Sequence, residues 1–162
     1  MRALTDLKAP LALALFATPT VAADSTAKKN VGYLSLSNFG SYNIDPIVLH
    51  WKTPEGVKKS KKLGAKIGGD EALCYDIEKA NDVPDGSEVW LVGKIEAGEN
   101  ENCRKDSKHY YEKGSNKVWF QYMAGTTFNS NSCKNDSKGS GSYDASTTVK
   151  GNSDMCQWLE SY

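Results

Sequence analysis

Long apolar runs, long helical repeats and arginine are all scarce in this 162-residue sequence. The longest apolar run, PLALALFA at residues 10–17, is well short of the about 20 residues that a membrane-spanning helix needs. Arg2 and Arg104 are the only arginines, and basic and acidic side chains balance at 20 each. A chain this neutral has no overall field to steer it onto nucleic acid, so we expect no nucleic-acid partner and look for local charged patches instead.

The N-terminal segment has the layout of a secretory signal peptide. Arg2 and Lys8 provide a positive start, the short apolar run follows, and small residues end the segment, with Val21 and Ala23 preceding the cleavage position. We therefore predict that residues 1–23 are removed. Residues 24–162 are then predicted to form a single secreted domain, extracellular or periplasmic, with no transmembrane segment.

All the cysteines lie in the part of the chain predicted to be exported. An even number of cysteines in an oxidising compartment predicts two disulfides. The sequence alone allows three pairings, of which we favour Cys74–Cys103 and Cys133–Cys156, each closing a loop of about 25 to 30 residues and stabilising the fold by about 3 kcal/mol. No C-x₂-C pair occurs, so we expect neither a metal site nor another cofactor.

Apolar and polar residues alternate in short segments, and the pattern predicts strands rather than helices. The predicted strands cover residues 31–38, 45–52, 62–68, 72–79, 88–98, 117–125 and 143–151. Turn-forming Gly, Pro, Asn and Asp residues separate them. The fold class is therefore predicted as all-β, an antiparallel β-sandwich or barrel-like sandwich of about seven or eight short strands. Residues 153–162 are predicted to add a short helical turn, capped by Ser153, with Met155, Trp158 and Leu159 facing inward.

Two tryptophans are out of phase with the aliphatic residues of their own strands. If Val89 and Leu91 face the core, Trp90 faces the other way, and the same alternation predicts that Trp119 faces outward. Together with Tyr110 and Tyr111, these side chains would form a stacking platform for a sugar ring, a lipid or a protein. The alternative is a second hydrophobic layer covered by the C-terminal segment or by a long loop.

A run of lysines provides the strongest local charge. The segment KKSKKLGAK at 58–66 includes Lys58, Lys59, Lys61 and Lys62, which could bind phosphate, anionic lipid or acidic glycan. The alternative is a soluble edge strand, because lysines on an edge prevent association between sheets. The lack of arginine argues against bidentate recognition of phosphate or carboxylate.

Catalytic motifs are absent, and the two histidines provide the only acid–base candidates. His50 stands alone, whereas His109 has Arg104, Asp106 and Glu112 close in sequence, a set that a small secreted ribonuclease could use. Because such a set arises readily by chance in a charged loop, an enzyme is the less favoured interpretation.

The leading hypothesis is a secreted, toxin-like or effector-like binding protein that recognises a cell-surface glycan or lipid. An inhibitor or interaction domain for a secreted or rival protein is the first alternative, with residues 130–142 as its working loop. A ribonuclease-type hydrolase is the second alternative.

Overall fold

The protein is a β-sandwich of eleven strands, as seen in a computed structural model that describes residues 28–104, 107–128, 131–135 and 147–159. The strands are β1 (Lys29–Val31), β2 (Tyr33–Asn38), β3 (Ile44–Lys52), β4 (Lys58–Leu63), β5 (Glu71–Asp76), β6 (Glu88–Ile95), β7 (Asn100–Asn102), β8 (His109–Tyr111), β9 (Val118–Ala124), β10 (Ser132–Asn135) and β11 (Thr148–Gly151). Two 3₁₀ turns, at Glu78–Ala80 and Met155–Gln157, complete the secondary structure of the described residues. The predicted all-β sandwich is confirmed, while the predicted signal peptide lies outside the described residues.

The strands form two sheets that pack face to face. Sheet A has the order β1-β8-β6-β3-β4, with β7 paired to β6, and sheet B has the order β10-β9-β2-β5-β11. Most neighbours are antiparallel, but β1–β8, β2–β9 and β5–β11 are parallel, so both sheets are mixed. Parallel neighbours need long connections, so they lie far apart in the sequence. The alternation of apolar and polar residues therefore identifies the strands but not which strands pair.

The core lies between the two sheets. Sheet A contributes alternate residues such as Leu49 and Leu91, and sheet B contributes Leu34 and Leu73, all of which are buried. Each such side chain stabilises the fold by about 1.5–3 kcal/mol when it leaves water. The sheets approach closely at Gly93, where an added Cβ would lie 2.6 Å from the sulfur of Met123.

The disulfides join Cys74 to Cys156 and Cys103 to Cys133, so the predicted pairing of these cysteines is wrong. Cys74 lies on β5, and the parallel strand β11 beside it brings the C-terminal segment back across sheet B. Cys103 follows β7 and meets Cys133 on β10, so this disulfide links sheet A to sheet B. The pairing of β5 with the distant β11 brings the C-terminal segment to Cys74 and so determines which cysteines form disulfides. Loop lengths in the sequence do not contain this information.

The outer face of sheet B is covered by the C-terminal segment. Cys74, Val118, Phe120 and Cys156 form a second buried cluster there, and Leu159 packs against it. The predicted helical turn is present as Met155–Gln157, and the Ser153 hydroxyl accepts a hydrogen bond from the Met155 N–H at 3.2 Å. The predicted inward orientation of Met155 and Trp158 is wrong, because their exposed fractions are 41% and 76%.

The lysine-rich segment is itself a strand at the edge of sheet A. Strand β4 covers Lys58–Leu63 rather than the predicted 62–68, and only Ile67 of the later segment makes a bridge, to Ile44. The expectation of a lysine-rich edge strand is therefore confirmed.

Candidate functional site

Strand register assembles a positively charged surface on the outer face of sheet A. Lys58 lies opposite Lys52, Ser60 opposite His50, and Lys62 opposite Val48. Because successive strand residues point to opposite faces, Lys59 and Lys61 project to the other side, in phase with the buried Leu63. We call the outer surface formed by Lys52, Lys58, Lys62, His50 and Tyr110 the cationic face.

The lysines of the cationic face lack acidic partners. The ammonium groups of Lys52, Lys58 and Lys62 form no hydrogen bond or ion pair with another described residue, because Glu88, which lies opposite Lys52 on β6, is paired with Arg104. Lys58 and Lys62 are exposed. Lys61, on the opposite side, donates to the Ala80 carbonyl at 3.0 Å and pairs with Asp82 at 3.5 Å. Like charges directly opposite each other on neighbouring strands are destabilising, so the Lys52–Lys58 pair raises the energy of the unliganded face.

Trp90 lies on the outer face of sheet A but does not form an open platform. Its side chain is only 6% exposed, because His50 stacks against it at a centroid distance of 5.6 Å and the Arg104 guanidinium covers it at 4.6 Å. Arg104 also forms a bidentate ion pair with Glu88, through Nε at 2.6 Å and a second nitrogen at 2.9 Å. The phase predicted for Trp90 is correct, but its predicted exposure is wrong.

Trp119 points into the sandwich, so its predicted outward orientation is wrong. It is 1% exposed, stacks on His109 at a centroid distance of 3.7 Å, and donates its Nε1–H to the Asn135 side-chain oxygen at 2.8 Å. Both faces of β9 are buried, since Val118 and Phe120 lie under the C-terminal segment. Trp119 is thus a core residue and offers no surface to a ligand.

The two adjacent tyrosines of β8 have opposite orientations. Tyr110 pairs in register with Glu88 on the outer face, is partly exposed, and has the Lys28 ammonium 5.2 Å from its ring centroid. Tyr111 is 5% exposed and belongs to the core. Burial, with smaller effects of Glu78 and Asp76, raises the pKa of Tyr111. The predicted contact role of Tyr111 is therefore wrong, whereas that of Tyr110 stays a prediction.

The two histidines lie on opposite faces of sheet A and cannot act as a pair. His109 is fully buried, and burial, with a smaller effect of Lys29, lowers its pKa to about 3. A neutral, inaccessible imidazole cannot exchange protons with a substrate. His50 is half-buried on the outer face, where burial also lowers its pKa. The role of His109 in the ribonuclease hypothesis is incompatible with this geometry.

The structure adds one residue that the sequence did not indicate, Lys52, and gives Arg104 a role other than the one expected beside His109. Lys52 joins the cationic face through the β3–β4 register, and Arg104 holds Trp90 and Glu88 together. Because arginine is rare in this sequence, Arg104 was a conspicuous residue. The β3–β4 register that places Lys52 on the cationic face cannot be derived from composition. The described residues contain no group of three or more His, Cys, Asp and Glu side chains that could hold a metal, and no helix long and apolar enough to cross a membrane.

Comparisons with known proteins show only weak structural likeness. No protein-family model and no curated protein matches the chain. An NMR structure of a protein from Eubacterium rectale is 13% identical, with a TM-score of 0.36, over 69% of this chain and 91% of that one. The human-specific toxin intermedilysin is 12% identical with a TM-score of 0.35, and pneumolysin is 12% identical with a TM-score of 0.34, each over 65% of this chain.

The matches to these two toxins cover 23% of the toxin chains. The TM-scores are too low to transfer a function. The two disulfides are compatible with an extracellular protein.

Proposed function

We propose that the protein is a secreted binding module that recognises an acidic glycan on a cell surface through the cationic face. The observation that carries this proposal is the Lys52–Lys58 pair, in which two lysine side chains lie directly opposite each other and the one neighbouring carboxylate in register with them, that of Glu88, is already paired with Arg104. A sulfate or carboxylate group placed between them would relieve their repulsion. A toxin-like or effector-like role for this binding belongs to the same proposal.

The chemistry of the face fits a polyanion that is held at several points. Lysine is a compact, strongly hydrated charge with three donors, and it suits flexible contacts better than bidentate recognition. Lys58 and Lys62 are four residues apart on one strand face, about 13 Å at the usual strand rise. Tyr110 offers a partly exposed ring against which a sugar could stack.

An acidic glycan fits this face better than a lipid bilayer. Insertion into a bilayer requires exposed apolar side chains beside the charges. Among the described residues the large exposed apolar side chains lie elsewhere or at the end of the face: Phe39, Val57, Phe128, Met155 and Trp158. Of these only Val57, which directly precedes β4, borders the cationic face.

A charge-reversal experiment tests the proposal. Binding of the folded protein to a sulfated oligosaccharide is measured by titration calorimetry for the wild type and for a Lys58→Glu, Lys62→Glu double variant. The matched control is Lys117→Glu with Lys134→Glu, which reverses two exposed charges at sheet B without touching the cationic face. We expect the first variant to lose at least about ten-fold in affinity, or 1.4 kcal/mol, and the control to change little.

Two further binding measurements test whether the protein distinguishes an acidic glycan from other anionic ligands. Vesicles containing phosphatidylserine test the lipid alternative, and a DNA duplex tests whether any polyanion suffices. Equal losses in both double variants, or binding to the vesicles with none to the oligosaccharide, would overturn the glycan proposal. Wild-type affinity should also fall steeply with added salt, because screened charges carry the binding.

A further inference from the structure

One long side of the sandwich contains a groove, whereas the opposite side is closed. On the closed side the Cys103–Cys133 disulfide links the two sheets. On the other side, near β4 of sheet A and strands β5 and β11 of sheet B, lies a groove of about 500 Å³. Small-molecule sites in proteins commonly have volumes in this range, about 300–1,000 Å³.

The groove combines apolar walls with a cationic rim. Its apolar part is lined by Ala65 and by the buried Leu63 and Leu73, and Lys66 and Lys150 also line it. No Asp or Glu is among its described lining residues, although Glu96 and Glu71 pair with Lys66 and Lys150. Apolar walls with a few polar groups that converge on one end are typical of ligand sites.

Existing ion pairs orient the two lysines without using all their donors. The Lys150 ammonium donates to Glu71 at 2.6 Å and to the Lys66 carbonyl at 3.0 Å. The Lys66 ammonium donates to Glu96 at 2.8 Å. Because an ammonium group has three N–H donors, each lysine keeps a donor for an anion.

A tyrosine provides a further polar group. Tyr75 lines the groove, is only 8% exposed, and its hydroxyl forms no hydrogen bond with the described residues. Burial, with smaller effects of Asp82 and Asp76, raises the pKa of Tyr75, so the phenol stays protonated at neutral pH. It can therefore donate a hydrogen bond to a polar group that enters the groove.

We propose that this groove is a second binding site, independent of the cationic face, and that it holds a small amphiphile with one anionic head group and a single apolar chain. The apolar chain lies against Ala65, over the buried side chains of Leu63 and Leu73. The carboxylate or phosphate head group accepts hydrogen bonds from Lys66 and Lys150, and Tyr75 lies farther along the groove, four residues beyond Glu71 on β5.

The test measures binding of ten-carbon amphiphiles by titration calorimetry, below their micelle concentrations. Decanoate and decyl phosphate distinguish the carboxylate and phosphate versions of the head group. Decanol and decyltrimethylammonium have the same chain without the negative charge. We expect at least one anionic probe to bind with a stoichiometry of one and at least about ten-fold more tightly than both comparison probes. Equal affinities across the set would overturn the proposal.

Two kinds of variant locate the site. Lys66→Gln with Lys150→Gln removes the charges and should lower anion affinity about ten-fold, while Ala65→Trp fills the groove and should abolish binding with the charges intact. The matched control is Lys134→Gln on β10, outside the groove. Near-ultraviolet circular dichroism confirms that each variant is folded. If Ala65→Trp is folded and still binds the anionic probe with wild-type affinity, the site is not this groove. Because the probes carry no glycan, failure here leaves the glycan proposal standing.

Discussion

Two histidine–tryptophan stacks, one on each face of sheet A, show how the same contact serves different environments. His109 and Trp119 stack inside the sandwich at 3.7 Å with an interplanar angle of 18°, and His109 is fully buried. His50 and Trp90 stack on the outer face at 5.6 Å and 16°, with His50 half-buried beside the lysines. The inner stack is part of the core, whereas the outer stack is a support beneath a polar surface.

The two stacks are expected to have different roles: the inner stack stabilises the fold, and the outer stack supports the cationic face. The inner stack joins β8 of one sheet to β9 of the other, and Asn135 anchors it from β10. The outer stack joins β3 to β6 within one sheet, and Arg104 covers the tryptophan from above. We therefore expect changes at the inner stack to alter the whole fold, and changes at the outer stack to act mainly on the cationic face.

The largest expected effect is the loss of stability when a disulfide is removed, and this loss differs between the two disulfides. Cys74–Cys156 spans 82 residues and Cys103–Cys133 spans 30, so the chain-entropy model predicts losses of about 4.5 and 3.5 kcal/mol when each pair is changed to alanine. Only the second bond lies beside the stacks, because Arg104 follows Cys103 and Gln121 of β9 donates to the Cys103 carbonyl at 3.0 Å. Urea unfolding measures the stability.

Tryptophan quenching by acrylamide measures the effect of each disulfide on the stacks. It is done in a Trp158→Phe background, since Trp158 is 76% exposed. We expect quenching to increase on loss of Cys103–Cys133 and to stay unchanged on loss of Cys74–Cys156, despite the larger loss of stability. The reverse pattern would place the stacks under the control of the C-terminal segment instead.

The second prediction compares the two tryptophans directly. Trp119→Ala removes a ring that is buried between both sheets and should lower the free energy of unfolding by about 4 kcal/mol. Trp90→Ala should cost about 2 kcal/mol, because His50 and Arg104 are free to collapse into the space. Denaturant titration of both variants checks this order. Equal losses would show that the outer stack is as much a part of the core as the inner one.

The sequence predicted the all-β sandwich, most of the strands and the lysine edge because these depend on local alternation and composition. The direction of Trp119 could not be predicted in the same way. Alternation divides β9 into two faces, but both faces are buried, one by sheet A and one by the C-terminal segment. Which face points to the main core depends on a long-range disulfide and on the β5–β11 pairing, neither of which leaves a local pattern.

The candidate site was also predictable only as far as local sequence patterns determine it. Lys58, Lys62 and Tyr110 were predictable as polar or aromatic residues on strands, and they do lie on one face, with Glu88 and Lys52 between Tyr110 and Lys58. The alternation of β4 already implied that Lys59 and Lys61 point the other way, once the strand began at Lys58. Lys52 enters only through cross-strand register, and the position of Arg104 over Trp90 only through a side-chain stack, so no local signal identified either arrangement.

The smallest expected effect is a pH dependence of stability that comes mainly from the inner stack. The pKa of His109 is about 3 in the folded protein, against 6.5 ordinarily, so below about pH 6.5 the unfolded state binds the extra proton. Stability should therefore fall as pH decreases, by about 2 kcal/mol from pH 7 to pH 5. His109→Gln should remove most of this slope, whatever its cost at pH 7. His50→Gln is the matched control and should remove less, because His50 is only half-buried. The midpoints of urea unfolding between about pH 7 and pH 5 measure this dependence. If stability still falls with pH in His109→Gln but no longer does so in His50→Gln, the titrating group belongs to the outer stack.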